Sequence, residues 1–148
     1  MAYKTFEELE VYSLAREFRK EIYRLINKLP EQERYNLASQ MRRAATSLTN
    51  NIAEGHGRYH YQENIQFCRQ SRGSLSELID DLNICADEGY FPEPHLKELK
   101  RRAYEINNLS TVFSDVSTVF GINLSLQDAT RSLDSMTLIA YNFCILKR

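Results

Sequence analysis

No stretch of this sequence is built to cross a bilayer. The longest apolar run, near Met136 to Leu146, is interrupted by Thr137 and Asn142 and falls short of the roughly 20 apolar residues a helical span needs. The opening residues, MAYKTFEELEVY, bring charge at once and lack the apolar run of an export signal. Both absences lead us to expect a cytoplasmic protein without a membrane partner. Cysteine is scarce too: Cys68, Cys85 and Cys144 are an odd number with no metal-ligand spacing. If Cys68 and Cys85 share one helix they stand about 25 Å apart and cannot bond to each other. They read as buried thiols of a reducing compartment.

Neither sign of charge dominates. Nineteen basic residues against 20 acidic leave a net charge of −1, which excludes a protein that coats nucleic acid by bulk electrostatics but leaves room for a local patch. Catalytic signatures are missing as well. There is no glycine-rich phosphate loop after a strand, no His-Glu-x-x-His and no pair of Glu-x-x-His motifs, and nothing marks one serine as a nucleophile. His56 and His60 stand four apart with Glu54 nearby, but Gly55 and Gly57 interrupt the helix that would align them as metal ligands. The expectation is a protein that is not an enzyme and takes no metal or cofactor.

What is present is helical periodicity. With 148 residues, 43% hydrophobic and 26% charged, the chain suits one domain that buries a real core. Its most organised stretch runs from Leu37 to Arg58, where Leu37, Met41, Ala44, Leu48 and Ile52 recur at three- and four-residue steps. The residues around that stripe are small or short and polar, so neighbouring helices can come close on more than one side. Asn36 is expected to cap this helix, and Gly55 and Gly57 to end it in left-handed or open backbone.

Before it, Thr5-Phe6-Glu7-Glu8 fits a capping box, and a first helix is expected from about Phe6 to Lys28. Its apolar face carries Leu9, Tyr12, Ala15, Phe18, Ile22, Leu25 and Leu29, with Arg16, Glu17, Lys20 and Glu21 on other faces, and Pro30 stops it. After a turn holding Tyr59 and Tyr61, both expected to pack against helix ends, a third helix is predicted over Tyr61 to Glu88. Ile65, Cys68, Leu75, Leu78, Ile79, Leu82 and Cys85 form its stripe, and Gly73 is expected to permit a close helix crossing. Gly89 ends it, with Tyr90 and Phe91 folding back as an apolar lid. Pro94 suits the first turn of a fourth helix running to Phe120, closed by Gly121. The basic run Lys97, Lys100, Arg101, Arg102 near its start reads as a solvated face. Together these predict an all-α antiparallel up-and-down four-helix bundle over residues 1–121. Residues 122–148 read as a helical C-terminal extension whose apolar side needs a partner.

These residues carry a family resemblance. The chain resembles the four-helix-bundle proteins encoded within intervening sequences of bacterial 23S ribosomal RNA genes. The resemblance rests on Phe6-Glu7-Glu8-Leu9 with Val11, Glu21-Ile22-Tyr23, Leu29-Pro30, Ser39-Gln40 with Arg42-Arg43-Ala44-Ala45-Thr46-Ser47, Asn51-Ile52-Ala53-Glu54-Gly55 with Gly57-Arg58, Gly73-Ser74 with Glu77-Leu78, and Gly89-Tyr90. It covers about residues 5 to 120 and implies a homopentamer, together with kinship to the accessory variability proteins of diversity-generating retroelements, which bind nucleic acid and a reverse transcriptase. A ring would copy each basic residue five times. Arg42, Arg43, Arg58, Arg69 and Arg72 are therefore the candidate contacts for RNA or DNA. The competing expectation is an adaptor that presents helix faces or the apolar tail to a reverse transcriptase or another protein. Arg42 and Arg43 also have a structural reading, as ion-pair partners of Glu54, Glu77 or Asp80 between helices or subunits.

Overall fold

The computed structural model describes residues 5–58 and 60–120, without the side chains of Tyr61 and of 112–120. The extension at 122–148, Tyr59, Gly121 and the apolar positions Phe113, Val116 and Phe120 lie outside what is described. Within it the chain forms α1 (Glu10–Ile26), α2 (Leu37–His56), α3 (Tyr61–Asp87) and α4 (Glu93–Phe120), with short 3-10 turns at Phe6–Glu8 and Glu31–Glu33. No strand occurs among the described residues. Each helix packs on the next in sequence, α1 also meets α4, and α2 with α3 makes the most extensive contact. That is the expected up-and-down bundle.

The expected stripes meet in one core. Phe18, Ile22, Met41, Leu48, Leu75, Leu78, Leu82, Leu96 and Leu99 are fully buried, and Ala15, Ala44, Ala45 and Ala103 fill the narrow gaps between them. Tyr90 and Phe91 pack against this core from the α3–α4 turn.

Several expected helix ends are corrected. The first turn is 3-10, tied by the Thr5 amide donating to Glu8 Oε2 at 3.2 Å. Extended backbone at Leu9 then delays α1 to Glu10. Asn36 does not cap α2. Its side-chain amide donates back to Glu33 Oε2 at 3.2 Å, and the same carboxylate oxygen accepts from the Leu37 amide at 3.4 Å. An anion thus meets the positive end of the helix dipole. The other oxygen of Glu33 accepts from the Tyr90 hydroxyl at 2.9 Å, tying the α1–α2 connection to the α3–α4 turn.

Glycine also behaves differently from expectation. Gly55 lies inside α2 and is buried, and a Cβ there would stand 2.9 Å from Cβ of Phe67. It is the close crossing of α2 on α3 that excludes a side chain, not a turn. Gly57 follows the helix in ordinary right-handed backbone. Gly73, expected at a crossing, is exposed with nothing within 4 Å of a built Cβ. Among the described residues only Gly89 has positive φ, at 66°. There the Tyr90 amide reaches the Cys85 carbonyl and the Gly89 amide the Ala86 carbonyl, the paired bonds that close a helix through a left-handed residue.

Candidate nucleic-acid interface

The five candidate arginines do not form one patch. Arg42 and Arg43 are neighbours on α2 but project to opposite seams. Arg43 reaches across to α3, where Nη2 lies 3.6 Å from Glu77 Oε1. Arg58 pairs with Glu54 one turn back and lies over the Phe67 ring. Of the two arginines expected in ion pairs, Arg43 makes one and Arg42 makes none among the described residues; Arg58 is paired as well. Arg69 and Arg72 lie on α3, Arg69 exposed and Arg72 half-buried, and no ion pair among the described residues engages either.

Arg42 turns toward α1. Its guanidinium carbon lies 4.9 Å from the centre of the Tyr23 ring, a cation–π contact that orients the charge without neutralising it. The Tyr23 hydroxyl is 2.7 Å from Thr46 Oγ1. Because the Thr46 hydroxyl donates its hydrogen to the Arg42 carbonyl at 2.9 Å, Tyr23 must be the donor in that bond. One helical turn away, Arg19 Nη1 donates to Thr49 Oγ1 at 2.7 Å, and Thr49 in turn donates to the Thr46 carbonyl. Two arginines are thus held by hydroxyls and a ring across the α1–α2 seam. No ion pair among the described residues engages Arg16, Arg19 or Arg42.

Sequence reasoning named Arg42 as a candidate contact but not Arg19, Tyr23, Thr46 or Thr49, which meet it or its neighbours at this seam. The signal was present in the three- and four-residue steps linking Arg16, Arg19 and Tyr23, which place them on one side of α1. The basic run of α4 is largely consumed by neighbours: Lys97 pairs with Glu93, Arg101 with Glu98 and Glu105, and Arg102 with Glu21 of α1, while Lys100 donates to Asn83.

A family model for the 23S rRNA-intervening sequence protein matches residues 7–111. The chain belongs to this family. The matched span holds all five candidate arginines and the whole α1–α2 seam. A comparison with curated proteins found no match.

Leu9, Val11, Ile52, His56, Asn64, Cys68 and Ser110 line a cavity of about 20 Å³, room for about one water. The Cys68 thiol donates to Asn64 Oδ1 at 3.3 Å, and burial pushes its pKa up to about 11 against a smaller opposing pull from Arg72. Burial likewise holds Cys85 at about 11, with Asp81 adding to the effect. Thiols held in the neutral form are poor nucleophiles. Among the described residues no three His, Cys, Asp or Glu side chains gather to hold a metal ion, and no helix is long and apolar enough to cross a membrane.

Among the described residues one buried side-chain polar atom lacks a hydrogen-bond partner. Asp81 on α3 is only 3% exposed, and its Oδ2 has no hydrogen-bond donor. Burial raises its pKa to about 6, Glu77 and Asp80 push the same way, and Arg43 opposes them.

Proposed function

We propose that this protein is a non-enzymatic, self-assembling four-helix bundle, a homopentamer, that binds nucleic acid through arginines on its surface. The observation that carries the reading is the division among the candidate cations. Among the described residues Arg43 and Arg58 pair with carboxylates, while Arg42, Arg69 and Arg72 enter no ion pair, in a chain of net charge −1. Charge kept out of local pairs is charge available to phosphate, and assembly multiplies it. The self-assembly part rests on the family resemblance of the sequence.

Two measurements test this. Sedimentation of the full chain is expected to give a mass near five times 17.3 kDa, and titration into labelled RNA or DNA is expected to show binding that weakens steeply with salt. A lone monomer removes the multiplied field. Absence of binding at low salt, or binding indifferent to salt, removes the phosphate contact and favours the adaptor reading.

A further inference from the structure

We infer that the α1–α2 face, centred on Arg19 and Arg42 with Arg16 beside them, is the nucleic-acid site, and that its ligand is the phosphate backbone of a duplex read without regard to sequence. This rests on the binding reading above and narrows it to one face and one mode of contact.

Three observations converge on that face. The first is charge. Arg16, Arg19 and Arg42 are engaged in no ion pair among the described residues, and Glu17, next to Arg16 in the chain, is taken by Lys20 at 2.6 Å. The C-terminal half of α3, in contrast, carries the exposed Glu77, Asp80 and Asp87, with Glu88 just after it, which repel phosphate.

The second is preparation. Arg19 is fixed by Thr49 and Arg42 by the Tyr23 ring, so both keep a full charge in a set position. Little side-chain freedom remains to be lost on binding. A guanidinium presents a planar fork of donors suited to phosphate and stays charged at any ordinary pH.

The third is the state of the aromatic rings. Binding of single strands draws on exposed rings that stack on bases. Here the Tyr23 ring is covered by Arg42 and its hydroxyl is used by Thr46, while Tyr12 meets Phe6 edge-on at 4.9 Å. With both of these rings occupied, the seam offers cations to a backbone; the exposed ring of Tyr35 lies in the connection before α2, with Arg34 over it. At helical rise, the 17 residues of α1 and 20 of α2 give a strip about 25 to 30 Å long, which matches some eight base pairs at about 3.4 Å each.

The experiment measures anisotropy of labelled DNA and RNA duplexes of about 20 base pairs, and of their separate strands, at about 50 and 200 mM salt. It compares the full chain, an Arg19→Gln/Arg42→Gln variant and an Arg69→Gln/Arg72→Gln variant, each checked for helix content. We expect duplexes of unrelated sequence to bind alike and more tightly than single strands. If three arginines of one chain each displace counterions, affinity falls about 40-fold between the two salts.

The Arg19/Arg42 variant is expected to lose at least 10-fold at low salt, and the Arg69/Arg72 variant to stay within about 2-fold of the parent. Should the Arg19/Arg42 variant fail to fold, Arg16→Gln replaces it, since Arg16 is exposed and holds nothing together. Its expected signature is a salt slope shallower by about 0.9. Loss of binding in the Arg69/Arg72 variant with the Arg19/Arg42 variant unaffected moves the site to α3 and overturns the inference, leaving the broader reading intact. A preference for single strands overturns the duplex mode. No binding by the parent chain at low salt removes the broader reading itself.

Discussion

The two seams along α2 are built on opposite plans. Toward α3 the helix presents small groups at close range. Gly55 abuts Phe67, the Ser74 hydroxyl meets Ser47 Oγ at 2.8 Å, the Ser71 hydroxyl donates to the Leu48 carbonyl at 3.1 Å, and the arginines at the seam's edge are paired with acids. Toward α1 the same helix presents Thr46, Thr49 and Arg42 to longer partners, and the charges there are met by hydroxyls and a ring. One seam has spent its polarity on holding two helices together. The other holds Arg19 and Arg42 in place, and no ion pair among the described residues engages either.

The sharpest way to break this contrast is at Gly55. Gly55→Val is expected to cost about 3 kcal/mol, because the added atoms meet the Cβ of Phe67 and the α3 backbone rather than a yielding side-chain tip. Urea denaturation checks it, and an unchanged midpoint would show that the helices are not held as closely as described.

Asp81 comes next. A folded-state pKa raised to about 6 from 3.8 means the folded protein binds the proton more tightly than the unfolded chain. Stability from this group is therefore fully present below about pH 4 and lost as pH rises through 6. Asp81→Asn is expected to stabilise the protein at pH 7 by roughly 1 to 2 kcal/mol, with the gain shrinking toward pH 4. Parallel denaturation curves at pH 7 and 5 for both proteins isolate the effect from other carboxylates. A gain that does not depend on pH would assign it to packing.

Gly73→Ala tests the other side of α3. With open space around the site, helix propensity alone should raise stability by about 0.5 to 1 kcal/mol. A loss would mean that something covers this face in the assembled protein, which a concentration series of the melting temperature would reveal. The smallest effect is expected at the Arg43–Glu77 pair, exposed and 3.6 Å apart. Arg43→Gln should shift stability by no more than about 0.5 kcal/mol, with affinity for a duplex changed far less than in the Arg19→Gln/Arg42→Gln variant.

Much of the bundle was legible in the chain because apolar residues at helical steps leave only one economical way to be buried. Leu37, Met41, Ala44, Leu48 and Ile52 are all buried as their spacing requires. The punctuation was less legible. Asn36 has the ordinary chemistry of a cap, but its side-chain amide is drawn back to the Glu33 carboxylate, which itself accepts from the first helical amide, that of Leu37, and a charged acceptor bonds more strongly. Gly55 and Gly73 look alike in the sequence. Only the approach of α3 makes one indispensable and leaves the other open. The α1–α2 seam was half visible: Arg42 stood out in the sequence, but its setting comes from Tyr23 on a different helix.

By itself the sequence determined four amphipathic helices, their order and the stripe each buries, since these follow from local periodicity and the free energy of removing apolar surface from water. Which cations are neutralised and which remain available was decided only when the helices packed. Arg42 and Arg43 are adjacent along the chain yet point about 100° apart around α2, so one falls beside Glu77 and the other over Tyr23. A charge's usefulness depends on what stands within a few ångströms of it, and on this chain that is set by contacts between residues about 20 to 35 positions apart.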